Sequence, residues 1–185
     1  MQDYRSFLAE ILIPEEALKV RVRELGEEIS RDYAGKKLFA ICILRGGVMF
    51  LTDLVRHIQP LVAIDFMGVS SYGVGSRSSV GQARITLDLA TSIANQHVLI
   101  VEDIIDSGNT LRSVVELLRT RHPASLEICT LLNKSSRREV EVPIKYCGFE
   151  IPDKFVFGYG LDMDEYYRNL PFIGVVDLDK YETDD

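Results

Sequence analysis

No apolar run in this sequence of 185 residues approaches the roughly 18 that a bilayer-crossing helix needs. The opening segment MQDYRSFLAEILIPEEAL has neither the basic start nor the apolar stretch of a secretion signal; it is acidic and amphipathic. A cytoplasmic protein is expected. Cysteine is scarce: Cys42, Cys129 and Cys147 stand far apart, each among apolar neighbours. Without a CxxC spacing they suggest neither a zinc site nor a redox pair, and buried thiols are predicted. Basic residues are in deficit, 21 Lys and Arg against 28 Asp and Glu, for a net charge of −7. That excludes a general electrostatic grip on nucleic acid, which leans on an excess of Lys and Arg. It leaves room for a local basic pocket that takes a small phosphorylated ligand. GxxxxGK[ST], GxSxG and HExxH are all missing, and Gly73-Val74-Gly75 and Gly158-Tyr159-Gly160 each lack the third glycine of GxGxxG.

Hydrophobic residues make up 46% and charged residues 26% of the chain, enough for one ordinary globular core. The length favours a single domain with a small hood. Residues 14–33 are predicted helical: Pro14, Glu15 and Glu16 suit a helix start, and Leu18, Val22, Leu25, Ile29 and Tyr33 recur at helical spacing. LFAICIL (38–44) is a continuous apolar strand, followed by Arg45-Gly46-Gly47 and a helix over 48–58. Strands are expected at 61–67, 84–89, 96–103, 125–134, 142–151, 155–160 and 172–178, with a helix over 110–121. Between the second and third strands, residues 68–83 are rich in Gly and Ser. A loop that long inside a compact domain is more often a mobile active-site lid than a linker. Alternating strands and helices point to an α/β fold with a mostly parallel central sheet flanked by helices.

The stretch VEDIIDSGNTL (101–111) carries the chemistry. It brings Glu102, Asp103 and Asp106 to the end of the apolar strand Val98-Leu99-Ile100-Val101. Ionised carboxylates are costly to bury without partners. Asp106 to Thr110 offers backbone amides, hydroxyls and a helix start, which together make a cradle for a phosphate, and Gly108 lets the backbone approach. The plainer reading of DSGNT is a helix N-cap, but that leaves Glu102 and Asp103 unexplained. Carboxylates beside a phosphate cradle make sense when the ligand also carries hydroxyl groups and a divalent cation.

This stretch resembles the phosphoribosyl pyrophosphate (PRPP) loop of the type I phosphoribosyltransferases: four apolar residues, two acids, two apolar residues, then D-[ST]-G-x-T. Leu44-Arg45-Gly46-Gly47 is similar to that family's pyrophosphate loop, and SSYG (70–73) to the start of its mobile loop. LLNK (131–134) and IPDKFVFGYGLD (151–162) resemble the base-recognition segments of its 6-oxopurine branch, and SRREVEVP (136–143) resembles bacterial hypoxanthine-using members. The resemblance runs from about residue 10 to 178.

The resemblance implies transfer of ribose 5-phosphate from PRPP to hypoxanthine, with guanine second, giving IMP or GMP and pyrophosphate, with Mg²⁺ as cofactor. It implies that Glu102 and Asp103 hold ribose hydroxyls and the metal's water shell, that Asp106 is the acid–base group near purine N7, and that Ser107, Gly108, Asn109 and Thr110 cradle the 5-phosphate. Arg45, through its backbone amide, and Gly46, with Arg168, would meet the pyrophosphate; the resemblance implies that the Leu44–Arg45 peptide is cis or switches isomer. Ile104, Phe155, Val156 and Asp162 would line the purine, with Lys134 donating to its O6 and Asp162 also holding a second Mg²⁺ through water. Ser71 and Tyr72 would close over PRPP. Homodimers or homotetramers are the rule in the family, with no nucleic acid or membrane partner. A PRPP-sensing regulator of the same fold is the alternative reading. It needs a basic face or an added DNA-binding domain, and a net charge of −7 with only 13 residues before Pro14 argues against both.

Overall fold

A computed structural model describes residues 2–71 and 83–181 of the chain. The centre is a six-stranded sheet in the order β4-β3-β2-β5-β6-β7, formed by β2 (Leu38–Leu44), β3 (Val62–Ser71), β4 (Ala83–Leu87), β5 (His97–Ile105), β6 (Ser125–Asn133) and β7 (Tyr146–Glu150). All neighbours are parallel except β3 and β4. The expected α/β architecture is what the chain adopts. Helices α2 (Glu15–Asp32) and α3 (Val48–Val55) lie on one face, and α4 (Asn109–Arg119) on the other. The continuous apolar runs follow from this arrangement, because a parallel sheet is covered on both faces. Leu38, Ala40 and Cys42 pack under α2 and α3, while Phe39, Ile41 and Ile43 pack under α4. Leu18, Val22, Leu25 and Ile29 form the buried stripe of α2, and Pro14 is its N-cap rather than its first helical residue. Cys42 and Cys129 are buried as predicted. Cys147 is only half-buried, since β7 is an edge strand.

A second, three-stranded antiparallel sheet joins both ends of the chain: β1 (Leu8–Ile13), β9 (Ile173–Val176) and β8 (Val156–Phe157), with the short helix α1 (Tyr4–Phe7) leading in. Phe7, Phe157, Met163 and Val176 form its core, and Phe7 lies edge-on to Tyr167 and Tyr181.

Several boundaries differ from the sequence expectation. Residues 68–71 and 83, expected in the loop, are strand, because β3 and β4 pair with each other over Gly68–Ser71 and Ala83–Leu87. β5 runs two residues past Asp103, since Ile104 and Ile105 keep partners in Leu132 and Asn133 of β6. Residues 142–145 form no strand; Val142 and Ile144 instead pack on the α4-side core. After Phe157 the chain leaves the expected strand in a turn with positive φ at Gly158, Tyr159 and Gly160, and the Tyr159 hydroxyl donates to Asp53 Oδ2 at 2.7 Å. Among the described residues no helix is long and apolar enough to cross a membrane.

Candidate active site

The chain runs from β2 outward to β3 on one side, and from β5 outward to β6 and β7 on the other. The carboxyl ends of β2 and β5 therefore flank the point where the strand order reverses, the place where open α/β sheets take ligands. Arg45-Gly46-Gly47 follows β2 at that point. Glu102 and Asp103 lie in the last turns of β5, and Asp106 to Gly108 link it to α4.

The carboxylates of β5 are half-buried. Glu102 Oε2 is buried without a hydrogen-bond partner. Burial, and then the neighbouring charge of Asp103, push the Glu102 carboxyl well above the usual range. Burial also pushes Asp103 up to about 6, against the opposing pull of the Ile104 amide, which donates to its Oδ1 at 2.8 Å, and of Arg168. On its other side Asp103 rests on Gly46: a methyl group at position 46 would overlap Asp103 Oδ2. The carbonyl of Gly46 in turn leaves no room for a Cβ at Gly160, whose φ is +103°. The Leu44–Arg45 peptide is cis.

Gly108, with φ +87°, is the N-cap of α4 and has no side chain to cap it; the first helical amide, of Asn109, donates to Ser107 Oγ at a long 3.4 Å. Of the DSGNT side chains Ser107 reaches one first-turn amide, at long range, so the start of α4 keeps amides for an outside acceptor. A cavity opens there, lined by Glu102, Ile104, Asp106, Ser107, Gly108 and Thr110, among others. The segment after β6 folds over this loop. Glu139 and Val140 amides donate to the Ser107 carbonyl at 3.0 and 3.2 Å, and Asn109 Nδ2 donates to Glu139 Oε2 at 2.6 Å. Arg137 Nε lies 3.0 Å from Asp106 Oδ1.

Lys134 stands one strand over, at the end of β6. Its amide donates to the Ile105 carbonyl at 3.0 Å, and its buried ammonium is 3.9 Å from Asp153 Oδ1. Phe155 is 52% exposed, unusual for its type, while Val156 is buried in the second sheet beside Val175. Asp162 and Arg168 form a pair at 2.9 Å. Asp162 Oδ2 accepts from the Glu165 amide, and Arg168 Nη1 donates to the Gly160 carbonyl at 2.8 Å. Arg45 Nη2 pairs with Glu165 Oε2 at 2.5 Å. The side chains of Arg45 and Arg168, two residues expected at the pyrophosphate, are both engaged by Glu165, a residue that nothing in the sequence singled out, the second at 3.5 Å. Arg137 and Asp153 were missed in the same way. Ser71 ends β3, whereas Tyr72, Arg77 and the rest of the expected lid (72–82) lie outside the described residues.

A family model described as "Phosphoribosyl transferase domain" matches residues 10–164. The chain is 48% identical over 176 residues to the hypoxanthine-guanine phosphoribosyltransferase of Staphylococcus aureus strain Mu50, covering 95% of this chain and 98% of that one. It is 51% identical over 171 residues to the hypoxanthine phosphoribosyltransferase of Escherichia coli K12, covering 91% and 96%. A crystal structure of a hypoxanthine phosphoribosyltransferase from Staphylococcus aureus superposes with a TM-score of 0.92 at 47% identity, covering 97% of each chain.

Proposed function

The chain belongs to the phosphoribosyl transferase family, and from that premise we propose that it is a purine-salvage enzyme. It transfers ribose 5-phosphate from PRPP to hypoxanthine, with guanine second, releasing pyrophosphate. It works in the cytoplasm as a homodimer or homotetramer. The observation that carries the base specificity is Lys134. The residue is only 7% exposed, and the ion pair its ammonium makes among the described residues, with Asp153, is as long as 3.9 Å. An ammonium so loosely paired at the tip of a buried side chain has donors to spare, and a 6-oxo group is an acceptor that answers them. The 6-amino group of adenine is itself a donor and leaves them unmet.

The division of labour follows from charge and position. Asp106 exchanges a proton with purine N7, in the same five-membered ring as the N9 that takes the sugar. Such a group is worth about 10²–10⁴-fold in rate. Glu102 and Asp103 accept hydrogen bonds from the ribose hydroxyls. The open start of α4, with Ser107, Gly108, Asn109 and Thr110, takes the 5-phosphate on its amides. Arg45, through its backbone amide, and Gly46 meet the pyrophosphate with Arg168, which first has to loosen its pairs with Asp162 and Glu165. Phe155 stacks on the purine, Ile104 lies against it, and Val156 meets its edge through the backbone. Ser71 and Tyr72 keep water from the oxocarbenium-like centre.

The residues fit Mg²⁺. The unpartnered oxygen of Glu102 and the raised Glu102 and Asp103 carboxyls are what a pair of carboxylates awaiting a cation presents. Among the described residues no cluster of three or more ligands exists, so substrate oxygens and water would complete the shell, as is usual for this ion. Asp162 spends its oxygens on Arg168 and the Glu165 amide and would reach a second ion through water. Bound, the ion neutralises charge building on the departing pyrophosphate.

The test is turnover with PRPP and Mg²⁺ against hypoxanthine, guanine, xanthine, adenine and uracil. Hypoxanthine should give the highest kcat/KM. PRPP binding without turnover of any base would instead mark a PRPP-sensing regulator.

A further inference from the structure

Arg137 sits three residues beyond Lys134, at the end of the turn Ser135–Arg137, and no role follows for it from the reaction as described so far. Its backbone is pinned on both sides. The Arg137 amide donates to the Lys134 carbonyl at 3.1 Å, and the next amides but one, Glu139 and Val140, donate to Ser107. Its side chain spans two carboxylates: Nε is 3.0 Å from Asp106 Oδ1, and Nη1 is 3.5 Å from Asp153 Oδ1. The same Asp153 oxygen is the ion-pair partner of Lys134. Asp106, Arg137, Asp153 and Lys134 therefore form a row of alternating charge, with the proposed acid–base group at one end and the proposed base-reading ammonium at the other.

Two details give the row a direction. Asp106 Oδ1 is shut off from solvent and has no aligned hydrogen bond, although the side chain as a whole is 43% exposed. The exposed part of Asp106 is then the rest of the carboxylate, which leaves Oδ2 as the oxygen free to meet a ligand. The pair itself is too open to matter much to folding, with Arg137 55% exposed. An interaction of this kind gains strength when a bound base excludes water.

We infer that Arg137 is a positioning residue for the transfer: it covers one oxygen of Asp106, fixes the other toward the purine, and ties Asp106 through Asp153 to Lys134, so that the N7 and O6 edges are engaged by one unit. The inference rests on the transferase reading above, and the test separates the two. In the full chain, Arg137→Ala should lower kcat for hypoxanthine about 10- to 100-fold, the scale of a misplaced reacting group. The KM for PRPP and the melting temperature should stay where they are. Arg137→Lys should recover part of the rate. Because the effect runs through Asp106, adding Arg137→Ala to Asp106→Asn should cost less than about twofold more. Arg112→Ala, on the exposed side of α4 where Arg112 pairs with Glu116, should behave as wild type.

A wild-type kcat in Arg137→Ala overturns the inference, as does a full additional loss in the double variant. If Arg137→Ala melts early, Arg137→Lys decides by the same comparisons, since it keeps the charge and loses the fork. A wild-type protein without turnover takes down the transferase reading and this inference together. A slow Asp106→Asn beside a normal Arg137→Ala removes Arg137 alone.

Discussion

Gly46 carries the Asp103 carboxylate on its bare α-carbon. A side chain at position 46 would occupy the space of Asp103 Oδ2, so the turn after β2 and the end of β5 touch without a layer between them. Gly46→Ala should therefore swing Asp103 out of place. The expected outcome is a fall in kcat/KM of about 10²-fold, the scale of a 1 Å misplacement near the chemistry, with the secondary structure intact by circular dichroism. Wild-type kinetics in this variant would refute the coupling.

The pH dependence of stability carries a sign. Burial raises the Asp103 carboxyl from 3.8 to about 6 in the folded chain. A raised carboxyl favours the folded state while it is protonated; that contribution is complete below about pH 4 and is lost as pH rises through about 6. Asp103→Asn cannot ionise. In calorimetry without ligands it should melt above wild type at pH 7.5, by roughly 2–4 °C for each kcal/mol of relief. The difference should fade at pH 4.5. A gap that is the same at both values would show that ionisation is not its cause.

Glu165 holds Arg45 at 2.5 Å and Arg168 at 3.5 Å. A polyphosphate that engages either guanidinium competes with Glu165, and at Arg168 with Asp162 as well. Exposed ion pairs are worth about 0–1 kcal/mol, so Glu165→Gln should lower the KM for PRPP by up to about fivefold, and product inhibition by pyrophosphate should strengthen in parallel. An unchanged or raised KM would mean that Glu165 helps to hold these cations ready instead of blocking them.

Phe155 is half in water, so its loss should spare the fold. Stacking on a purine is worth about 1 kcal/mol beyond burial. Phe155→Ala should raise the KM for hypoxanthine about five- to tenfold and leave the KM for PRPP and the melting temperature alone. A drop in melting temperature with no change in KM would assign Phe155 to packing.

The sequence was most informative where one element follows another directly. β5, the Asp106–Thr110 loop and α4 are contiguous, and their apolar run, acids and glycine each have a local physical meaning. The α2 stripe from Leu18 to Ile29 was legible for the same reason. β1 was not, because LAEILI gains its strand character from pairing with Ile173–Val176, more than 150 residues away. The base of the β3–β4 hairpin was misread as loop because Gly and Ser are poor strand formers, and cross-strand pairing overrode that preference. Arg137, Asp153 and Glu165 carry no pattern of their own. Their meaning lies in which oppositely charged groups the fold brings within reach, and spacing along the chain does not encode that.

The close approach of Gly160 to the Gly46 carbonyl has a mechanical side. Backbone meets backbone there, with no side chain between to bend or rotate. A ligand that shifts the turn after β2 thus pushes directly on residues 158–161, and through Val156 and Phe157 on the sheet that holds both chain ends. The contact makes a side-chain-free seam between the turn after β2 and the turn after β8, so a substitution on either side of it is felt by the other.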